Sequence, residues 1–190
     1  RNLEIQNIDG FEKSFNEHSK MSATAAAGKF KGGLADNSEK TTAFHTAVHL
    51  MLAGLREVLG SHVHQKGSNI TAERIRFDFS HDLKMTDEEK CAVEKYVNDG
   101  IEAAALVTVS EMAKDKAYAE GVEGSFWEKY PEIVKVYSIE DQMGKVWSKE
   151  LCGGPHVDNC SILSNYGQFK IGKEQSSSAG TRRVKATFVE

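Results

Sequence analysis

Two short stretches, His45-Thr46-Ala47-Val48-His49 and Cys152-Gly153-Gly154-Pro155-His156, constrain this chain more than any other feature. Histidines four apart lie one helical turn apart on one face, so both can reach a single ion. A tight Gly-Gly-Pro turn can likewise bend a thiolate and an imidazole toward one point. A histidine pair at this spacing is on its own more often ordinary surface or core. Taken together, the half-sites supply one Cys and three His, the donor kind and number that zinc prefers. If they share an ion, the fold must carry residue 45 back to residue 156. Thr46 stands where an H-E-x-x-H motif has its glutamate, so the general base of a zinc protease is missing.

The first pair falls within a helix expected over residues 41–59, with Thr42 as N-cap, Leu50, Met51, Leu55 and Val58 as its apolar stripe and Gly60 as its stop. Arg74 to Phe79 alternates polar and apolar residues, the pattern of a half-buried strand with Ile75, Phe77 and Phe79 inward. Thr86-Asp87-Glu88-Glu89 is a capping box, opening a helix whose Val93, Tyr96, Val97 and Ile101 face the sheet. Further strands are expected at Leu106 to Val109, Val134 to Tyr137, Phe169 to Ile171 and around Val184, Ala186 and Phe188, with a short helix after Ser110 and a polar loop from Gln175 to Gly180. Helices and strands come in blocks, which predicts an α+β fold with a mainly antiparallel sheet and packed helices. Residues 1–37 are expected to form a connector or packing arm, and residues 38–190 the zinc-binding domain. The first residue is Arg1, which suggests a piece of something longer.

A length of 190 residues with 39% hydrophobic content supports a real core. Three widely spaced cysteines do not make a disulfide framework and fit a reducing compartment; Cys91 reads as a packing residue, and Cys160 as a neighbour of the metal loop. No apolar run is long enough to span a bilayer, so no membrane partner is expected and the cytosol is the default location. A net charge of −4 argues against nucleic-acid binding through bulk electrostatics and makes any RNA contact local. Arg182, Arg183 and Lys185, with Lys170 and Lys173 nearby, form a local cluster suited to phosphate; a solvated strand edge explains the same residues.

The stretch from Phe44 to Met51, then His64-Gln65-Lys66-Gly67-Ser68, then Arg74 to Ser80 with His81, and finally Ser148 to Val157 resemble, in that order, the editing domain of alanyl-tRNA synthetases. Free-standing alanyl-tRNA editing proteins and the threonyl-tRNA synthetase editing domain share the two metal elements, but only the alanyl type closely matches the Gln-Lys-Gly-Ser and Arg-Phe-Asp-Phe-Ser stretches. The resemblance implies Zn2+ held by His45, His49, Cys152 and His156, and hydrolysis of serine or glycine esters of tRNA(Ala). It further implies an editing-pocket role for Gln65, which composition alone would assign to a turn. Its partners would be the acceptor end of tRNA(Ala) and the other domains of a synthetase, with no DNA. Gln65 and Thr46 are the catalytic candidates, and Gln65, Ser68, Gly153 and Gly154 the substrate-binding ones. Arg182, Arg183 and Lys185 are the RNA-binding candidates. A structural-zinc RNA-binding module without hydrolytic activity, or an editing hydrolase for another aminoacyl-tRNA such as seryl-tRNA(Thr), are the alternatives. Pro155 departs from the family's usual Thr and removes a donor and a hydroxyl, so the loop is expected to keep its metal geometry while its substrate contacts change. The segment Asp141 to Trp147 looks longer than usual and is expected at the pocket rim.

Overall fold

In the computed structural model, residues 33–125 and 127–190 are described. Most of the expected arm, residues 1–32, lies outside them. The elements run α1 (Glu39–Leu59), β1 (Gln65–Ile70), β2 (Ile75–Ser80), α2 (Asp87–Glu102), β3 (Leu106–Ala113), α3 (Lys114–Ala119), β4 (Ile133–Glu140), β5 (Val146–Leu151), β6 (Gln168–Ser178) and β7 (Thr181–Val189), with a 3-10 helix at Cys160–Tyr166 before β6. Two sheets result, one ordered β1-β2-β7-β6 and one ordered β3-β4-β5, and every ladder is antiparallel. The α+β reading therefore holds.

Helix α1 is the hub. It packs against β1 and β2 of the first sheet, β5 of the second, α2 and the 3-10 helix. A helix covered on so many sides cannot be narrowly amphipathic, and Ala43 through Leu52 are all buried. It begins earlier than expected: Ser38, not Thr42, is the N-cap, and its hydroxyl accepts from the Thr41 amide. The capping box at Thr86 and Glu89 forms as its sequence predicts, with both reciprocal bonds made.

Alternation sets the faces of the larger sheet. Ile75, Phe77 and Phe79 on β2 and Val184 and Ala186 on β7 turn inward to one core with Phe44, Leu50 and Phe169. Burying each of the large side chains stabilises the fold by roughly 1.5–3 kcal/mol. Two segments expected to be irregular are strands. Gln65-Lys66-Gly67-Ser68 belongs to β1, which carries a bulge at Lys66, because β2 supplies it a partner for its backbone. Gln175 to Ser178 pairs with Arg182, Arg183 and Thr181, which leaves only Ala179-Gly180 as the turn. Cys91 is exposed, since the buried positions of α2 are Val93, Glu94, Val97, Gly100 and Ile101.

Helix α2 also closes the free edge of β6 with side chains. Asn98 donates to the Phe169 carbonyl and accepts from its amide, and Glu94 accepts from the Ile171 amide and pairs with Lys170. This mimics a further strand and hides an otherwise open edge. Asn98→Ala strands both Phe169 groups and is expected to lower unfolding stability by about 2–3 kcal/mol in urea titration; a loss under 0.5 kcal/mol would show that water replaces the amide freely.

Candidate metal centre

His45 and His49 project from α1 toward the loop that follows β5, where Cys152 and His156 meet them. One nitrogen or sulfur atom from each of the four lies within 4.8 Å of every other, and all but the half-buried His156 are buried. Cys152 Sγ stands 3.5 Å from His45 Nε2 and 3.4 Å from His156 Nε2. The imidazole of His45 stacks on that of His156 at 4.2 Å, and His49 meets His156 edge-on at 4.5 Å.

The outer nitrogens decide what the inner ones are. His45 Nδ1 is 2.9 Å from the Pro155 carbonyl, which can only accept, so Nδ1 carries the proton and Nε2 a lone pair. Thr46 donates to the Thr42 carbonyl and accepts from the Val157 amide, which leaves its remaining lone pair for the Nδ1–H of His156 at 3.2 Å. His49 Nδ1 faces the Glu150 carboxyl at 3.5 Å. The lone pairs of His45 and His156 thus converge with one thiol, and His49 stands beside them. That donor set, desolvated and with two of its imidazole tautomers fixed from outside, is what a cation needs, and the four residues could hold a metal ion.

Burial governs the acidities. It lowers His45 to about 4 and His156 to about 2, takes His49 well below the usual histidine value, and raises the Cys152 thiol to about 12 and Glu150 to about 8. The histidines are therefore already neutral at mildly acid pH, while the thiol must surrender its proton to any bound ion. At pH 5.5 metal binding is expected to release one to two protons per ion, from Cys152 and part of Glu150. Ordinary, water-exposed side chains would release about four. Titration calorimetry in buffers of different ionisation enthalpy counts them, and a value near four would refute the closed site.

Glu150 had no role in the sequence reading. Its only signal was period two, since it lies one alternation before Cys152 and so faces the same way. Ser148 donates to its other oxygen at 2.8 Å. Gly154 is also more than a turn former: a Cβ there would fall 2.4 Å from His45 Cε1. Pro155 contributes only its carbonyl, which every residue has, so the departure at this position leaves the His45 contact intact.

The other expected site residues have partners or surroundings of their own. Thr46 is fully buried with its hydroxyl saturated. Gln65 donates to Ser68 Oγ within β1, and its carbonyl accepts from Ser125. Gly153 is exposed. Arg182 is tied to Glu174, and Arg183 to both oxygens of Asp78 at 2.6 and 2.7 Å, so Lys185 alone of that trio has no ion pair among the described residues. Cys160 is buried in the main core. Asp141 to Trp147 turns β4 into β5 around Asp141, which accepts from the Met143 and Lys145 amides and the Trp147 indole. Val146 and Trp147 then wall a pocket of about 320 Å³ shared with Ala53, Arg56, Glu123 and Glu150. Among the described residues no helix is long and apolar enough to cross a membrane.

Residues 134–185 match the threonyl and alanyl tRNA synthetase second additional domain. The chain is 51% identical over 182 residues to the alanine-tRNA ligase of Treponema denticola, covering 96% of the chain and 29% of that protein. It is 50% identical over 181 residues to that of Borrelia hermsii, with 95% and 29% covered, and 48% identical over 149 residues to that of Chlorobium luteolum, with 78% and 16% covered. The chain thus spans less than a third of the length of these relatives. With about half its residues identical over nearly its whole length, and with a match to the second additional domain inside it, the chain is similar to a segment of alanyl-tRNA synthetases.

Proposed function

We propose that residues 38–190 form a zinc-holding editing domain that hydrolyses the ester joining serine or glycine to the 3′ adenosine of tRNA(Ala). The observation that carries this is the buried cluster of three imidazoles and one thiol in a relative of alanine-tRNA ligases. Around a tetrahedral ion with bonds of about 2.3 Å to sulfur and about 2.0–2.1 Å to nitrogen, a sulfur and a nitrogen lie about 3.5 Å apart. The two Sγ to Nε2 separations are 3.5 and 3.4 Å. With four protein donors, zinc would have no open position and would act by fixing the loop at residues 152–156 against α1.

The chemistry then falls to this chain's own groups. Thr46 positions His156 and the Val157 amide rather than touching the substrate. Gln65 and Ser68 supply polar groups for the amino-acid side chain and the attacking water, and the backbone of Gly153 and Gly154 lies against the ester. A pocket of this kind favours serine over alanine, because a methyl leaves its polar groups unpaired.

Incubating the chain with seryl-, glycyl- and alanyl-tRNA(Ala), with zinc quantified in the same preparation, tests the reading. Serine and glycine release at least tenfold faster than alanine supports it. One zinc per chain with no hydrolysis of any ester would leave a structural-zinc RNA-binding module, and preference for seryl-tRNA(Thr) would move the substrate to the threonine system.

A further inference from the structure

The outer face of the larger sheet carries a charge pattern that folding does not account for. Lys173 on β6 pairs in register with Lys185 on β7, and Lys185 pairs with Arg76 on β2. All three alternate with inward residues, Ile75 and Phe77 on β2 and Val184 and Ala186 on β7, so they share the face turned away from the core. Neighbouring strands lie about 4.8 Å apart, which makes this a row of three cations across about 10 Å. Like charges directly opposite each other destabilise a sheet. The next rung shows the ordinary solution, with Arg183 opposite Asp78 and joined to it by two hydrogen bonds. By contrast, none of the three cations in the row has an ion pair among the described residues, and Arg76 Nε is buried there without a hydrogen-bond partner.

We propose that Arg76, Lys185 and Lys173 form a docking row for the phosphate backbone of an RNA stem. The proposal rests on the RNA-substrate reading above and deepens it. Successive phosphates of one strand rise about 3.4 Å along a DNA axis and stand farther apart than that along the winding backbone, so about two fall within the row's span. A phosphate is also an anionic partner for Arg76, which has no ion pair among the described residues, and it relieves the repulsion among the cations. The net charge of −4 makes the row a local feature rather than part of a general basic surface, as register on an RNA demands. Of the trio expected from sequence, Lys185 alone belongs to it; Arg76 was missed because its strand read only as core.

The test measures binding of the 190-residue chain to a fluorescent RNA hairpin copying a tRNA acceptor stem and carrying no amino acid, by anisotropy across a salt series. Lys173→Gln with Lys185→Gln is expected to weaken binding about tenfold near 100 mM salt and to reduce the salt slope by about 2. Lys95→Gln with Lys116→Gln, an equal charge loss on α2 and α3, is expected to weaken it less than twofold. Thermal melts of the row variant are expected to be no lower than wild type, because repulsion is removed. Absent wild-type binding, equal weakening by both double variants, or equal competition by polyglutamate overturns the proposal. Row-dependent binding without hydrolysis of seryl-tRNA(Ala) counts against the editing reaction and leaves the row standing.

Discussion

Replacing Cys152 with alanine is expected to empty the metal centre and to lower seryl-tRNA(Ala) hydrolysis at least a hundredfold. The thiol sulfur stands 3.5 and 3.4 Å from the Nε2 atoms of His45 and His156, and it is the one donor of the four that can bring negative charge to the ion. Without it, three neutral imidazoles face a cation in a buried pocket with no anionic donor among them. Structural zinc sites contribute their binding energy directly to folding, so the variant also loses the stabilisation that the bound ion gives the native state. The chain should melt at least 5 °C lower in excess zinc, while adding a chelator should lower wild type to the same point and leave the variant unmoved. Cys160→Ala is the matched control, because Cys160 is equally buried but packs only in the hydrophobic core. It should cost stability through packing and keep one zinc per chain. If Cys152→Ala binds zinc as wild type does, the centre is not the one described.

How much of this was legible beforehand follows from the range of the forces involved. The histidine pair, the capping box at Thr86 and the alternation from Ile75 to Phe79 are local patterns, and each formed as its sequence predicts. Ser38 was missed as the N-cap because the first turn of α1 opens on polar, exposed Glu39 and Lys40, so no apolar stripe marks it. Gly67, Ser68 and Asn69 have little strand propensity, yet they pair with β2 because tertiary contact overrides weak local preference. Polar Gln175 to Ser178 joined the hairpin for the same reason, its partners being Arg183, Arg182 and Thr181. Within the site, the four donors could be read from residue type and spacing. Glu150, the Pro155 carbonyl and the Thr46 hydroxyl could not, since each acts only once α1 meets the loop after β5. The basic cluster failed as a unit because alternation splits it. Arg182 lies opposite Phe79 and pairs with Glu174 on the inner side, whereas Arg183 and Lys185 face outward.

Gly154→Ala should be the most damaging single methyl group for the metal centre. Its Cβ would sit 2.4 Å from Cε1 and 2.9 Å from Nδ1 of His45. Such a contact is cheap only when the opposing atom can swing away, and this imidazole cannot. Its Nδ1 is held by the Pro155 carbonyl, one residue beyond the glycine, and its Nε2 faces Cys152 Sγ, two residues before it. Moving the ring breaks both contacts, and moving the loop drags two of the four donors with it. The backbone of Gly154 is not in the left-handed region, so conformational strain plays no part and the effect is steric. Overpacking of this kind costs about 1–3 kcal/mol, and here it falls on metal affinity as well as on folding. Zinc affinity is therefore expected to drop at least a hundredfold in a chelator competition, with the far-ultraviolet dichroism of the sheets preserved. Gly172→Ala is the comparison, since a Cβ there meets only the Lys185 carbonyl at 3.7 Å and should leave zinc affinity unchanged. Equal zinc affinity in Gly154→Ala and wild type would mean that the loop at 152–156 yields without disturbing its donors, and that the rigid coupling between α1 and this loop is not what sets the centre.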